Sequence, residues 1–151
     1  MSRIAILAAA TLSFMACSNA LAIDYLSVSR NAILYDNASP MARKLAIVRA
    51  GTPVEFINTT PNQQWMKVRV PGSGGLLWIE ASALERKRTV IVTAEQAAVR
   101  REANTGSPAV FEVVRDVVLD LVAFDATSGW VQVRHADGSG GYLYASEVWG
   151  L

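Results

Sequence analysis

Hydrophobic and polar positions alternate with a period of two along most of the chain. In "WMKVRV" (Trp65 to Val70), Met66, Val68 and Val70 share one face while Trp65, Lys67 and Arg69 share the other. In "WVQVR", Val131 and Val133 point inward and Trp130, Gln132 and Arg134 outward. "PVEF" (Pro53 to Phe56) and "VLDL" (Val118 to Leu121) alternate in the same way. This is the pattern of short half-buried strands. Clusters of turn-forming residues separate them: "RAGTP" (Arg49 to Pro53), "TTPNQQ" (Thr59 to Gln64), "PGSGG" (Pro71 to Gly75), "TSG" (Thr127 to Gly129) and "DGSGG" (Asp137 to Gly141). The two glycine-rich clusters read as equivalent turns, where glycine permits positive φ at little steric cost.

The segment "AVFEVVRDVVLDLVAF" (Ala109 to Phe124) has spacing that an amphipathic helix would also satisfy. Its β-branched content is high, however, and the matching segment earlier in the chain contains Gly51 and Pro53. A proline inside a helix costs about 3 kcal/mol. Two strands joined by a turn at Arg115-Asp116 is the better expectation.

The match between those segments belongs to a duplication. "WMKVRVPGSGGLLWIEASAL" (Trp65 to Leu84) echoes in "WVQVRHADGSGGYLYASEV" (Trp130 to Val148). Upstream, "LAIVRAGTPVEFI" (Leu45 to Ile57) falls on "FEVVRDVVLDLV" (Phe111 to Val122), and "AILYDNASP" (Ala32 to Pro40) on "AAVRREANTGSP" (Ala97 to Pro108). Gly51 has no clear counterpart in the second copy. The expected organisation is a leader over 1–22, one domain over 23–85, a linker over 86–89 and a second domain over 90–151. Short, evenly spaced strands with tight turns argue for an all-β chain of two tandem small β-barrels.

Each copy resembles the bacterial SH3-like domain. The resemblance rests on "AAVRREANTGSP" as an apolar-x-Val-Arg entry, the strand–turn–strand before each tryptophan, "W-x-x-V-R", the glycine turn, and the closing aromatic strands "GLLWIEASAL" and "GYLYASEV". The first copy carries "AILYDNAS" where the family places an arginine-bearing loop. The resemblance implies small barrels of five to seven strands, with a tryptophan at the start of the central strand near the ligand groove of binding members. In bacteria such modules accompany wall-processing enzymes and bind peptidoglycan or its stem peptides.

The N-terminus reads as an export signal. Arg3 supplies positive charge, Ile4 to Met15 is an uncharged apolar run, and Ala20 and Ala22 occupy the small-residue positions of a cleavage site. The run is shorter than the roughly 20 residues of a spanning helix. "FMAC" (Phe14 to Cys17) also resembles the lipobox of bacterial lipoproteins, which offers lipidation at Cys17 as an alternative; Phe14 stands where leucine is usual. Cleavage after Ala22 leaves 129 residues without cysteine, so stability must come from burial rather than disulfides. The expected location is the periplasm or cell envelope.

Charge excludes one partner class. From Ile23 to Thr89 nine Lys/Arg face five Asp/Glu, and from Val90 onward four face eight, giving halves of about +4 and −4. A nucleic-acid-binding chain would not balance in this way. The halves can attract each other, or the positive one can meet an anionic surface.

Catalytic chemistry finds little foothold. His135 is the lone histidine, sits beside a turn, and has Val70 as its counterpart. The "GSGG" stretches lack the lysine and following helix of a phosphate-binding loop. Ser73 and Ser139 have no base nearby in sequence. No cofactor or metal is implied, and a non-enzymatic role is expected. Binding is better supplied: Trp65, Lys67, Arg69 and Trp78 in the first copy, and Trp130, Arg134, Tyr142 and Tyr144 in the second, set aromatic rings beside cations on rigid strands. These are the candidate ligand-binding residues, with barrel closure as the competing role for each tryptophan; Trp149 is a candidate cap for the second barrel or the seam. The ligand expected is peptidoglycan or a wall peptide, two sites on one chain adding by effective concentration. The alternative is a periplasmic protein–protein adaptor or structural component, using edge strands or the basic "ERKR" (Glu85 to Arg88).

Overall fold

The computed structural model describes residues 24–151. The segment expected to be a leader, with Cys17, Ala20 and Ala22, lies outside the described residues. Two antiparallel sheets of seven strands account for nearly everything else, and no α-helix occurs among the described residues. The first contains β1 (Tyr25–Val28), β2 (Ala32–Tyr35), β3 (Lys44–Val48), β4 (Pro53–Thr59), β5 (Trp65–Arg69), β6 (Leu76–Glu80) and β7 (Leu84–Glu85). The second contains β8 (Thr89–Val92), β9 (Gln96–Arg100), β10 (Ala109–Val114), β11 (Val118–Asp125), β12 (Trp130–Arg134), β13 (Gly140–Tyr144) and β14 (Val148–Trp149). Strand order is β3-β2-β6-β5-β4-β1-β7 in one and β10-β9-β13-β12-β11-β8-β14 in the other, the same permutation. The fold is all-β, two small barrels in tandem.

The period-two pattern fills each barrel as its parity requires. Val68, Val54, Val28 and Ile79 form the heart of the first core; Val131, Val133, Val99 and Leu143 form that of the second. The closing aromatic segments do not run through as single strands. Short 3₁₀ turns at Ala81–Ala83 and Ala145–Glu147 break them, and the chain re-enters the sheet as β7 and β14.

Ala109 to Phe124 is two strands joined at Arg115-Asp116, not a helix. Asp116 has φ of 68°, and its N–H donates to the Val92 carbonyl at 2.9 Å. Gly51 has φ of 85°, and its N–H donates to the Val28 carbonyl at 2.6 Å. Val28 and Val92 hold the same register position, against Leu84 and Val148. Asp116 is therefore the counterpart of Gly51 that the sequence comparison does not reveal. Aspartate is among the few other residues that tolerate the left-handed region.

The two "GSGG" stretches are not equivalent, contrary to expectation. Gly72 to Gly75 all lie in the β5–β6 turn, whereas Gly140 and Gly141 are the first residues of β13. Register shows the reason: Leu76 and Leu77 oppose Arg69 and Val68, while Gly140 and Gly141 oppose Arg134 and Val133. The second turn is one residue shorter, and three residues rather than two separate its glycine stretch from the preceding strand, so the last two glycines fall in β13. A Cβ on Gly141 would collide with the Arg100 carbonyl oxygen and lie 2.7 Å from Val99 Cγ1.

The junction residues Glu85 to Arg88 are exposed, yet two of them are tied to the barrels. Lys87 pairs with Asp120 at 3.0 Å. Arg88 donates to the Gly150 carbonyl at 2.9 Å, and its guanidinium lies 5.5 Å over the Tyr25 ring. Thr89 Oγ1 donates to the Gly51 carbonyl at 2.7 Å. Tyr25 meets Trp149 edge to face at 5.1 Å, which places Trp149 at the seam between the barrels. Desolvation here, with Glu55 nearby, pushes the Tyr25 phenol above its ordinary value.

Candidate functional site

The outer face of the second barrel follows from its core. Because Val131, Val133 and Leu143 point inward, Trp130, Gln132 and Arg134 on β12, and Tyr142 and Tyr144 on β13, point out. Trp130 opposes Tyr144 in register, and the rings pack tilted with centroids 4.5 Å apart. The preceding turn sets this pair. Asp125 accepts hydrogen bonds from the Ser128 hydroxyl and the Thr127 N–H, both at 2.9 Å, which hold its carboxyl below the ordinary aspartate range. Gly129, at φ of 78°, turns the chain back, and the space where its Cβ would stand is 3.4 Å from the Tyr144 ring.

Trp130 is half-buried and Tyr144 remains 39% exposed, so the pair is fixed in place yet accessible. Arg134 is exposed and has no ion pair among the described residues. Asp120, its register partner on β11, is held by Lys87, and Gly140 opposite it on β13 contributes no side chain. Tyr142 lies opposite Arg100, whose Nη1 donates to the Ser107 carbonyl at 2.8 Å.

The first barrel uses equivalent positions differently. Trp65 was expected on the exposed face and is instead buried, 7% exposed, with Tyr35 edge-on at 5.2 Å. Its register partner on β6 is Glu80, where the second barrel has Tyr144. With no aromatic there to stack on, Trp65 is covered from β2 by Tyr35, which stands at the position of Arg100. Lys67 places its ammonium 5.0 Å over the Trp78 ring, and Arg69 pairs with Glu55 at 2.5 Å. Both cations of this face are thus engaged, Lys67 with a ring and Arg69 with a carboxylate. The structure keeps each set of four on one sheet face; in the first barrel Trp65 is buried and both cations are paired, whereas in the second Trp130 is half-buried and Arg134 has no ion pair among the described residues. Tyr35 was the missed member; its signal was an aromatic in the aligned position of Arg100.

The remaining candidates have local roles. His135 Nδ1 lies 3.4 Å from the Asp137 N–H, and the ring is 6.0 Å from Phe111. The Ser73 hydroxyl bonds the Val70 carbonyl at 3.0 Å, and the Ser139 N–H donates to Asp137 at 2.8 Å, so both serines close turns. Among the described residues no group of three or more His, Cys, Asp or Glu is placed to hold a metal, and no helix is long and apolar enough to cross a membrane. A second feature, invisible in the sequence, is a groove of about 620 Å³ between the barrels, walled by β3 and the β5–β6 turn on one side and by Ile91, Asp116 and Val118 on the other.

No curated protein matches this chain. Among solved structures, NlpC2 from Trichomonas vaginalis is similar over 84% of this chain and 48% of its own, at 14% identity and a TM-score of 0.37. NlpC1 from the same organism is similar over 97% and 50%, again at 14% and 0.37. An NlpC/P60 family protein from Bacillus cereus is similar over 83% and 55%, at 14% identity and a TM-score of 0.36. The chain spans about half the length of these structures. The first barrel repeats the strand order of the second without sharing its family match. Residues 93–150, which carry β9 to β14 of the second barrel, match the bacterial SH3 domain family.

Proposed function

We propose that the protein is a non-catalytic, exported binding module that engages peptidoglycan or cell-wall peptides through the outer face of its second barrel. The observation that carries this reading is the asymmetry of the two faces. The half that matches the bacterial SH3 domain, a domain associated with cell-wall binding, leaves Trp130, Tyr144 and Arg134 accessible. A rigid aromatic pair offers apolar contact area at low entropic cost, and a free guanidinium about four strand residues away offers a fork for a carboxylate. Muropeptides carry sugar faces, short apolar side chains and carboxylates, which this set complements.

The first barrel then serves the second through the seam rather than through a second equal site. Titration with soluble muropeptides, followed by tryptophan fluorescence, tests the reading. Saturable change that disappears in Trp130→Ala and weakens in Arg134→Ala supports it, with circular dichroism reporting that both variants fold. Unchanged binding in both would overturn the assignment to this face. No binding by the wild-type protein would overturn the function.

A further inference from the structure

β3 is the end strand of the first sheet: its ladder runs to β2 alone. Leu45, Ala46 and Ile47 at its centre are exposed, Ile47 by 73%, and none of them takes part in a backbone hydrogen bond outside that ladder. An unpaired edge with apolar side chains is a template for another strand, and proteins ordinarily guard it with a charge or proline. The equivalent strand of the second barrel is guarded in this manner: β10 follows Pro108 and carries Glu112 at its middle. β3 begins with Lys44 and is followed directly by Arg49, and among the described residues neither forms an ion pair; Arg43 is held by Asp36. The groove of about 620 Å³ runs beside this strand, with Val48, Ile91 and Val118 among its apolar lining and Asp116 on the opposite wall.

We propose that β3 and this groove form a second binding site, which takes an extended peptide with an apolar centre and acidic ends as an added strand. Main-chain hydrogen bonds along β3 supply the affinity, and alternate side chains enter the groove. Lys44 and Arg49 lie about five residues, roughly 17 Å, apart along the strand, and so set the spacing of the two acids. The same charges argue against a second copy of this chain as the occupant. Antiparallel pairing of two β3 strands would bring Lys44 of each close to Arg49 of the other, and like charges across a ladder repel. Asp116 adds selection, since it opposes an acid placed at the centre of the peptide rather than at its ends. The site is independent of the Trp130 face.

The test is a titration of the full protein with a fluorescent six-residue peptide, Glu-Val-Ala-Val-Ala-Glu, whose two acids are likewise five residues apart, against the same peptide with Lys at both ends. The acidic peptide should bind and the basic one should not. Lys44→Glu, Arg49→Glu together should weaken the acidic peptide by about tenfold or more, the equivalent of ~1.4 kcal/mol. Both residues are exposed, so the fold is expected to persist, and an unchanged melting temperature checks this. Failure of the acidic peptide to bind at millimolar concentration would overturn the proposal. So would equal binding of both peptides, or concentration-dependent dimerisation abolished by Ile47→Lys without peptide binding. Wall binding through Trp130 is measured separately and is unaffected by the double charge reversal if the two sites are distinct.

Discussion

Alanine at Gly141 and alanine at Gly75 alter the same letter of the same "GSGG" phrase, and the structure predicts opposite outcomes. Gly141 sits where β13 approaches β9 so closely that a Cβ would meet the Arg100 carbonyl oxygen and stand 2.7 Å from Val99 Cγ1. Comfortable carbon–carbon contact lies at 3.5–4.0 Å, so the strands must part by roughly 1 Å, at the edge of a core that includes fully buried Val99 and Leu143. Neither obstacle is the free end of a flexible side chain. Overpacking of this kind costs about 1–3 kcal/mol. For a domain of this size each kcal/mol moves the melting temperature by roughly 4–8 °C, so a midpoint cost of about 2 kcal/mol lowers it by roughly 8–16 °C. At Gly75 an added Cβ meets nothing within 4 Å and φ is ordinary. Alanine there restricts the unfolded chain and gains about 0.4–1 kcal/mol. Thermal melts of Gly141→Ala and Gly75→Ala, followed by circular dichroism, measure both. Hydrogen exchange adds the location: amides of Val131, Val133 and Leu143 should lose protection in Gly141→Ala before those of Val68 and Ile79. Equal shifts in the two variants would refute the register argument.

Three further outcomes are expected. Ser27 is fully buried, and its hydroxyl has no hydrogen-bond partner among the described residues; an orphaned polar group costs about 1–3 kcal/mol, so Ser27→Ala should raise the melting temperature, and a fall would show that the hydroxyl is satisfied. Asp125 titrates below its ordinary value of 3.8 because Ser128 and Thr127 donate to its carboxylate. A folded-state value below the unfolded one contributes stability that is complete above the unfolded value and lost as pH falls through the folded one. Carboxyl NMR should therefore give a midpoint below 3.8 that moves up in Ser128→Ala, and a midpoint at or above 3.8 would contradict the turn geometry. Trp149 joins the barrels through Tyr25; in calorimetry the wild-type protein should melt in one endotherm and Trp149→Ala in two, whereas a single endotherm in the variant would remove Trp149 from the coupling.

Much of the fold was legible because a valine every second residue has one interpretation in a strand, and because the duplication wrote it twice. What misled was letter identity where register had shifted. "GSGG" aligned as a turn in both copies, but a turn shorter by one residue, with one residue more before its glycines, moved Gly140 and Gly141 into β13. The opposite error hid Asp116, which shares no letter with Gly51 yet takes the same backbone conformation. At the candidate site, alternation put Trp65 and Trp130 on outer faces, which is where their backbones lie. Whether an outward ring is covered depends on residues from other strands: Tyr144 supports Trp130 from below, and Tyr35 closes over Trp65 from β2. Such pairings join positions 30 residues apart for Tyr35 and Trp65, and no local pattern encodes them. Of the seam only Trp149 was offered by the sequence; its partner Tyr25 and the groove were hidden for the same reason, being built from two copies whose docking a single repeat does not specify.

The most direct test of the proposed function is co-sedimentation of the purified protein with isolated peptidoglycan sacculi, beside Trp130→Ala, Arg134→Ala and Trp65→Phe. The wild-type protein and Trp65→Phe should pellet with sacculi at micromolar concentration, since Trp65 lies beneath Tyr35 and a ring is kept. Trp130→Ala should stay in solution, and Arg134→Ala should pellet more weakly and lose the remainder as salt rises. A wild-type protein that stays in solution, or pelleting untouched by both second-barrel changes, would contradict the assignment of wall binding to this face.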